Sequence, residues 1–330
     1  MEIDKKKIIR EGFSKLQILV IGDVMVDEYV TGKVSRISPE APIPVLNYGA
    51  ADRIAGGASN VAHNVAKLGS RTAMLGAVGQ DAAGVWLKEH LQSRNIDTVG
   101  LLPDAGRPTT VKRRFATKNQ QLLRVDVEET SPVSNALERK LLSILETYAD
   151  RTDAVILSDY RKGVLASPDF VRQIIQICNQ HQIVVTVDSK SPHIEAFQNA
   201  DFVKPNNLEL EQAVDIKIVD DASLNIAGER YLDRCGAKAL IVTRGARGIS
   251  VFEREKPRKD YPSNAVQVYD VTGAGDTVIS TATLCMACGM SLEEAVILGN
   301  MAAEVVISKV GTVPVTAEEL IKKLYDGSNS

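Results

Sequence analysis

Short β-branched apolar runs alternate with segments of helical period through most of this chain, and that alternation limits the fold more than any other feature. Gln17 to Val24 opens the series as a run buried on both faces and ends in Gly22-Asp23. Further strands are predicted at Thr72 to Val78, Ala154 to Leu157, Ile183 to Val187, Asp201 to Val203, Leu240 to Thr243 and Ile249 to Phe252. Helical patterns fall between and after them, at Asn60 to Leu68, Ala82 to Ser93, Leu137 to Tyr148, Pro168 to His181, Ala222 to Cys235, and from Leu208 and Ala274 onward. Repeated βα units of this kind predict an α/β protein with a doubly wound, mainly parallel sheet and helices on both faces. Ligands of such sheets gather at the carboxyl ends of the strands, so residues there are the first candidates for function.

Two stretches depart from the pattern. Residues 30–49 are short alternating pieces broken by Pro39, Pro42 and Pro44, and residues 98–127 contain Thr109-Thr-Val-Lys-Arg-Arg-Phe115 and Gln121 to Val127 around the turn Lys118-Asn119. Both are predicted to form a small β-sheet lid on one domain spanning residues 1–330. The composition, 44% hydrophobic and 25% charged in 330 residues, excludes disordered and fibrous classes. A formal charge of -3 argues against a nucleic-acid partner. No apolar run reaches the roughly 18 residues of a membrane span, so a cytoplasmic protein is expected. Cys285 and Cys288 form a C-x-x-C inside an apolar helical stretch without a second Cys or His pair nearby, which reads as small buried helix residues.

The most informative segment is Asp270-Val-Thr-Gly-Ala-Gly-Asp-Thr277, ahead of a long apolar helix. Gly273, Ala274 and Gly275 let a ligand approach unpaired backbone N–H groups at the positive end of the helix, which makes an anion site. Asp276 then stands where it could accept a proton from an attacking hydroxyl; the alternative is a carboxylate that merely complements the helix dipole. Gly56-Gly57 also opens a helix, and Asn60 offers a donor and an acceptor suited to a polyol. Asn206 and Glu209, after the strand ending at Val203, either orient hydrated Mg²⁺ on nucleotide phosphates or cap the next helix. Thr243-Arg-Gly245-Ala-Arg-Gly248 is a turn that could also contact a nucleotide. No G-x-x-x-x-G-K-[ST], H-E-x-x-H or G-x-S-x-G occurs.

Taken in order, the Gly22-Asp23 strand end, Asp27, Gly56-Gly57 with Asn60, Asn206-x-x-Glu209, Thr243-x-Gly245-x-x-Gly248 and Gly273-Ala-Gly-Asp276 resemble the PfkB/ribokinase family of sugar kinases. The resemblance implies a ribokinase-like fold and ATP as phosphoryl donor. It makes Asp276 the catalytic base and Gly273 to Gly275 the anion hole. Asn206 and Glu209 would order Mg²⁺, with Glu209 acting through water. Asp27, Gly56, Gly57 and Asn60 would hold sugar hydroxyls, and ATP would lie over the loop of Thr243, Gly245 and Gly248 and the helix carrying Asn300. Thr281 departs from the family pattern, which has Ala or Gly there.

Four further segments are similar to those of the D-glycero-β-D-manno-heptose 7-phosphate kinases: Ser35 to Val45, Lys112 with Arg114, Asn119 to Asp126, and Ser158 to Gly163. They carry Arg36, Lys112, Arg114, Arg124 and Lys162, more cations than a neutral sugar requires. The expected reaction is ATP-dependent phosphorylation of heptose 7-phosphate at its anomeric hydroxyl, for lipopolysaccharide-core synthesis. A stand-alone kinase is expected, passing its product to separate enzymes and pairing as a homodimer through the lid. Another phosphosugar or nucleoside kinase of the family, or an idle binding regulator on the same fold, are the alternatives.

Overall fold

A computed structural model describes residues 4–265, 269–309, 311 and 313–326. The strands are β1 (Gln17–Gly22), β2 (Val24–Ile37), β3 (Pro44–Gly57), β4 (Arg71–Val78), β5 (Ile96–Pro103), β6 (Thr110–Ala116) and β7 (Gln121–Val127). They continue with β8 (Ala154–Asp159), β9 (Val184–Ser189), β10 (Phe202–Val203), β11 (Ala239–Thr243), β12 (Ile249–Glu253) and β13 (Lys259–Tyr261). One sheet has nine strands in the order β13-β12-β11-β10-β9-β8-β1-β4-β5; those from β11 to β5 run parallel, while β12 and β13 are antiparallel additions. The second has four, in the order β3-β2-β6-β7.

The period of two along β1 divides the core. Ile18 and Val20 face one layer, with helices Ala58–Lys67, Ala274–Ala287 and Leu292–Ile307; Leu19 and Ile21 face the other, with Asn135–Ala149, Pro168–Gln180 and Asp221–Cys235. Local chemistry ends these helices where the sequence suggests. Ser167 accepts the N–H of Phe170 ahead of Pro168, and Gly236, in the left-handed region at φ 67°, stops the helix that closes on Cys235. Cys285 is fully buried in its helix and Cys288 half-buried.

The parallel strands fan out from β1: β4 pairs on one side of it and β8 on the other. The chain therefore reverses its direction of travel across the sheet at β1, and the carboxyl ends of β1 and β8 bound the switch-point crevice. Asp23 sits in it, buried at 1% exposure. Its Oδ2 accepts the N–H groups of Tyr160 and Lys162 and its Oδ1 that of Val164, each at 2.9 Å.

The small sheet differs from expectation at both ends. Residues 98–103 belong to β5, which pairs with β4 in the large sheet, because Ile96 and Leu101 are buried in its core. In the other direction β2 and β3 reach down to Val24 and Gly57, so the small sheet is rooted beside β1 and the helix that begins at Ala58. The prolines lie at its tip, where Pro44 starts β3 and Pro39 and Pro42 fall in the turn before it.

Candidate active site

A cleft of about 540 Å³ opens at the carboxyl ends of β8, β9, β10 and β11. Its walls include Tyr160, Asp188, Lys190, Lys204, Asn206, Glu209, Thr243, Gly245, Gly248, Asn300 and the whole Gly273–Asp276 segment. Gly273 caps the helix Ala274–Ala287 at φ 81°, and Asp276 lies in the first turn at 9% exposure. Its carboxylate is held by two donors from distant elements: Asn60 Nδ2 reaches Oδ2 at 2.6 Å, and the Tyr160 hydroxyl reaches Oδ1 at 2.8 Å. Burial, and then the charge of Asp188, push the Asp276 carboxyl above its ordinary range; Asn60, Tyr160 and Lys204 pull the other way.

Lys204 is the buried cation of the site, 3% exposed and 3.0 Å from Asp188 Oδ2. Burial opposes its charge, yet Asp188, Glu209 and Asp276 together raise its proton affinity, so it stays an ammonium. A Cβ on Gly275 would lie 3.1 Å from its Nζ, which is why a side chain at 275 would close the space between the helix start and that ammonium. Asp188 and Lys204 were not singled out from the sequence, nor were Tyr160 and Lys190. Each ends or follows a parallel strand, and that position is the signal by which they could have been found.

Asn206 and Glu209 form a complete capping box: Asn206 Oδ1 accepts the Glu209 N–H at 2.9 Å, and Glu209 Oε2 accepts the Asn206 N–H at 2.8 Å. Both residues also line the cleft, so the cap leaves them on its wall. Burial, then Asp188, raises the Glu209 carboxyl. Thr243, Gly245 and Gly248 form the loop joining β11 to β12, on the same wall. Asn300 faces the cleft from the helix Leu292–Ile307 while its Nδ2 donates to Pro262 O at 2.9 Å. No cluster of three metal-ligating side chains occurs among the described residues.

The remaining candidates belong to the small sheet and its root. The glycine pair answers first to packing: a Cβ on Gly56 would fall 2.2 Å from Asp27 Oδ2, and Gly57, at φ 59°, would meet Asp23 O at 2.5 Å. Lys112 and Arg114 stand opposite Asp27 and Tyr29 in the β2–β6 register and share one face with them. Arg114 donates to Asp27 Oδ1 at 2.5 Å. Lys112 forms no ion pair among the described residues; burial lowers its proton affinity, as do Lys162 and Lys190, whereas Asp27 raises it. Arg124 pairs with Asp126 at 3.0 Å and is half exposed, and Lys162 pairs with Glu128 at 2.8 Å.

A profile of the pfkB family carbohydrate kinases matches residues 15–319. The bifunctional protein HldE of Geobacter metallireducens is 39% identical over 306 residues, covering 93% of this chain and 62% of its own length. HldE of Caulobacter vibrioides is 41% identical over 309 residues, with 93% and 63% covered. The chain thus spans about three-fifths of the length of these curated relatives. Among solved structures, Arabidopsis thaliana ribokinase complexed with ribose and ATP superposes with a TM-score of 0.75 at 21% identity, over 94% of this chain and 98% of that one. Phosphofructokinase-2 of Escherichia coli in complex with fructose-6-phosphate gives 0.74 at 22% identity, over 94% and 99%.

Proposed function

Because the chain belongs to the pfkB family of carbohydrate kinases, and is a sugar kinase, we propose that it transfers the γ-phosphoryl group of ATP to the anomeric hydroxyl of D-glycero-β-D-manno-heptose 7-phosphate. The observation that carries the chemistry is the placement of the Asp276 carboxylate in the first turn of a helix whose Gly273–Gly275 start opens on the cleft. Asp276 takes the proton of the acceptor hydroxyl, the oxygen forms its bond to the γ-phosphorus, and the bond to the β-phosphate oxygen breaks to release ADP. The amides at the helix start and the Lys204 ammonium stabilise the charge of the phosphoryl group in transit. Carboxylates of Asp188 and Glu209 on one cleft wall suit a hydrated Mg²⁺, an ion that takes one or two carboxylates and keeps its waters. When bound, such an ion neutralises phosphate charge.

The choice of a phosphorylated sugar rests on the resemblance of the four segments to heptose 7-phosphate kinases and on the cations they carry. Lys112 and Arg114 share the face of Asp27, and Lys162 lies within the switch-point loop that Asp23 holds. A coupled ADP-release assay with heptose 7-phosphate, unphosphorylated heptose, fructose 6-phosphate and a nucleoside tests both halves of the reading. Turnover that ignores the distal phosphate would overturn the substrate assignment.

The small sheet exposes Ile37, Ile43, Tyr48 and Leu123 at 57–70%, which supports pairing of two such sheets in a homodimer. A single monomeric species in sedimentation at micromolar concentration would exclude it.

A further inference from the structure

Tyr160 is built into the site from three sides, although the reaction as written gives it no task. Its backbone N–H is fixed by Asp23 at 2.9 Å, together with those of Lys162 and Val164, so the loop after β8 is pinned at the switch point. Its ring lies under Lys190, whose Nζ is 4.5 Å from the centroid. Its hydroxyl donates to Asp276 Oδ1 at 2.8 Å. Asn60 takes the other oxygen at 2.6 Å from the opposite side, on the helix that begins at the root of the small sheet. Two donors on two carboxylate oxygens fix the torsion about the last bond of the side chain, which is otherwise broad.

We infer that Tyr160 is a positioning residue for the phosphoryl transfer: its hydroxyl holds Asp276 Oδ1 in the orientation that receives the acceptor's proton, and shares that oxygen with the incoming sugar hydroxyl. The inference rests on Asp276 as the base. A donor to an ionised carboxylate also favours the ionised form, so Tyr160 keeps Asp276 ready to accept. The other groups facing Asp276 divide: Asp188 at the end of β9 works against ionisation, while Lys204 and Asn60 work for it. Lys190 and Glu209 lie around the phenol rather than on the carboxylate.

Tyr160→Phe keeps the ring under Lys190 and removes only the donor. It is expected to lower kcat by about tenfold or more, the scale of one hydrogen bond to a charged group. The acid limb of kcat/KM against pH should move to higher pH, with KM for ATP and Tm unchanged. Combined with Asp276→Asn it should cause no further loss, because both changes act through one carboxylate. A Tyr160→Phe enzyme with a superimposable pH profile, whatever its kcat, would sink the positioning role. Full activity in Asp276→Asn would instead sink the base assignment, and the two failures are told apart by measuring both variants.

Discussion

Asn60 and Asp276, 216 positions apart, are joined by a 2.6 Å hydrogen bond that ties the start of one helix to the start of another. The first helix follows directly from β3 of the small sheet, and the start of the second, Gly273 to Gly275, lines the cleft. The root of the small sheet is thereby tied directly to the carboxylate proposed as the base.

Asp276→Asn keeps the shape and one acceptor oxygen but cannot take the proton. It should lower kcat by roughly two to four orders of magnitude with ATP binding nearly unchanged, as measured by steady-state kinetics and nucleotide titration. In the wild type, burial and then Asp188 raise the proton affinity of this carboxyl, so a base at this position loses its ionised form on acidification sooner than an exposed Asp. Activity should therefore fall on acidification earlier than an exposed Asp would allow. Near-normal turnover in folded Asp276→Asn removes the base assignment.

Glu209→Gln separates capping from a role toward the metal. Glutamine can still accept the Asn206 N–H, so the helix Asn207–Val214 and the Tm should hardly change. The carboxylate charge is lost, and the Mg²⁺ concentration needed for half-maximal rate should rise while KM for the sugar stays put. An unaltered Mg²⁺ titration would reduce Glu209 to its cap.

Arg114→Ala should raise KM for the phosphosugar about tenfold and leave KM for ATP alone, as expected when one charge-assisted contact to a phosphate is lost. Arg124→Ala should do less, since Arg124 is 51% exposed and already paired with Asp126. Equal KM values in wild type and Arg114→Ala would confine Arg114 to its ion pair with Asp27.

Asp23→Ala would strand three backbone donors, of Tyr160, Lys162 and Val164. Each buried orphan costs about 1–3 kcal/mol, so a loss of about 3 kcal/mol or more is expected in denaturant unfolding. Burial, and then Asp159, push the Asp23 carboxyl up to about 6. Its folded value thus exceeds the unfolded one of about 4, and this protonation-linked part of its stabilisation is present at low pH and lost as pH rises through about 6. The wild-type advantage over Asp23→Ala should accordingly be larger at pH 4 than at pH 7; the reverse trend would show that the ionised form is the one the fold prefers.

The strand and helix order was written in the local sequence, because apolar period and cap chemistry act over a few residues: Ile18, Val20, Leu19 and Ile21 alternate between two layers, and Ser167-Pro168 starts a helix. The glycine-rich start before Asp276 was legible for the same reason. What Gly56 is for was not, because the atom it makes room for, Asp27 Oδ2, lies across a strand pair and is unrelated to its neighbours in sequence. Tertiary structure alone decided that Asp276 would be gripped by Asn60 and Tyr160, that Lys204 would be buried against Asp188, and that residues 98–103 would join the large sheet. Those contacts depend on the spatial order of strands, which is settled by how whole sheet faces are buried, and proton affinity in a cleft follows from neighbours that only such packing brings within reach.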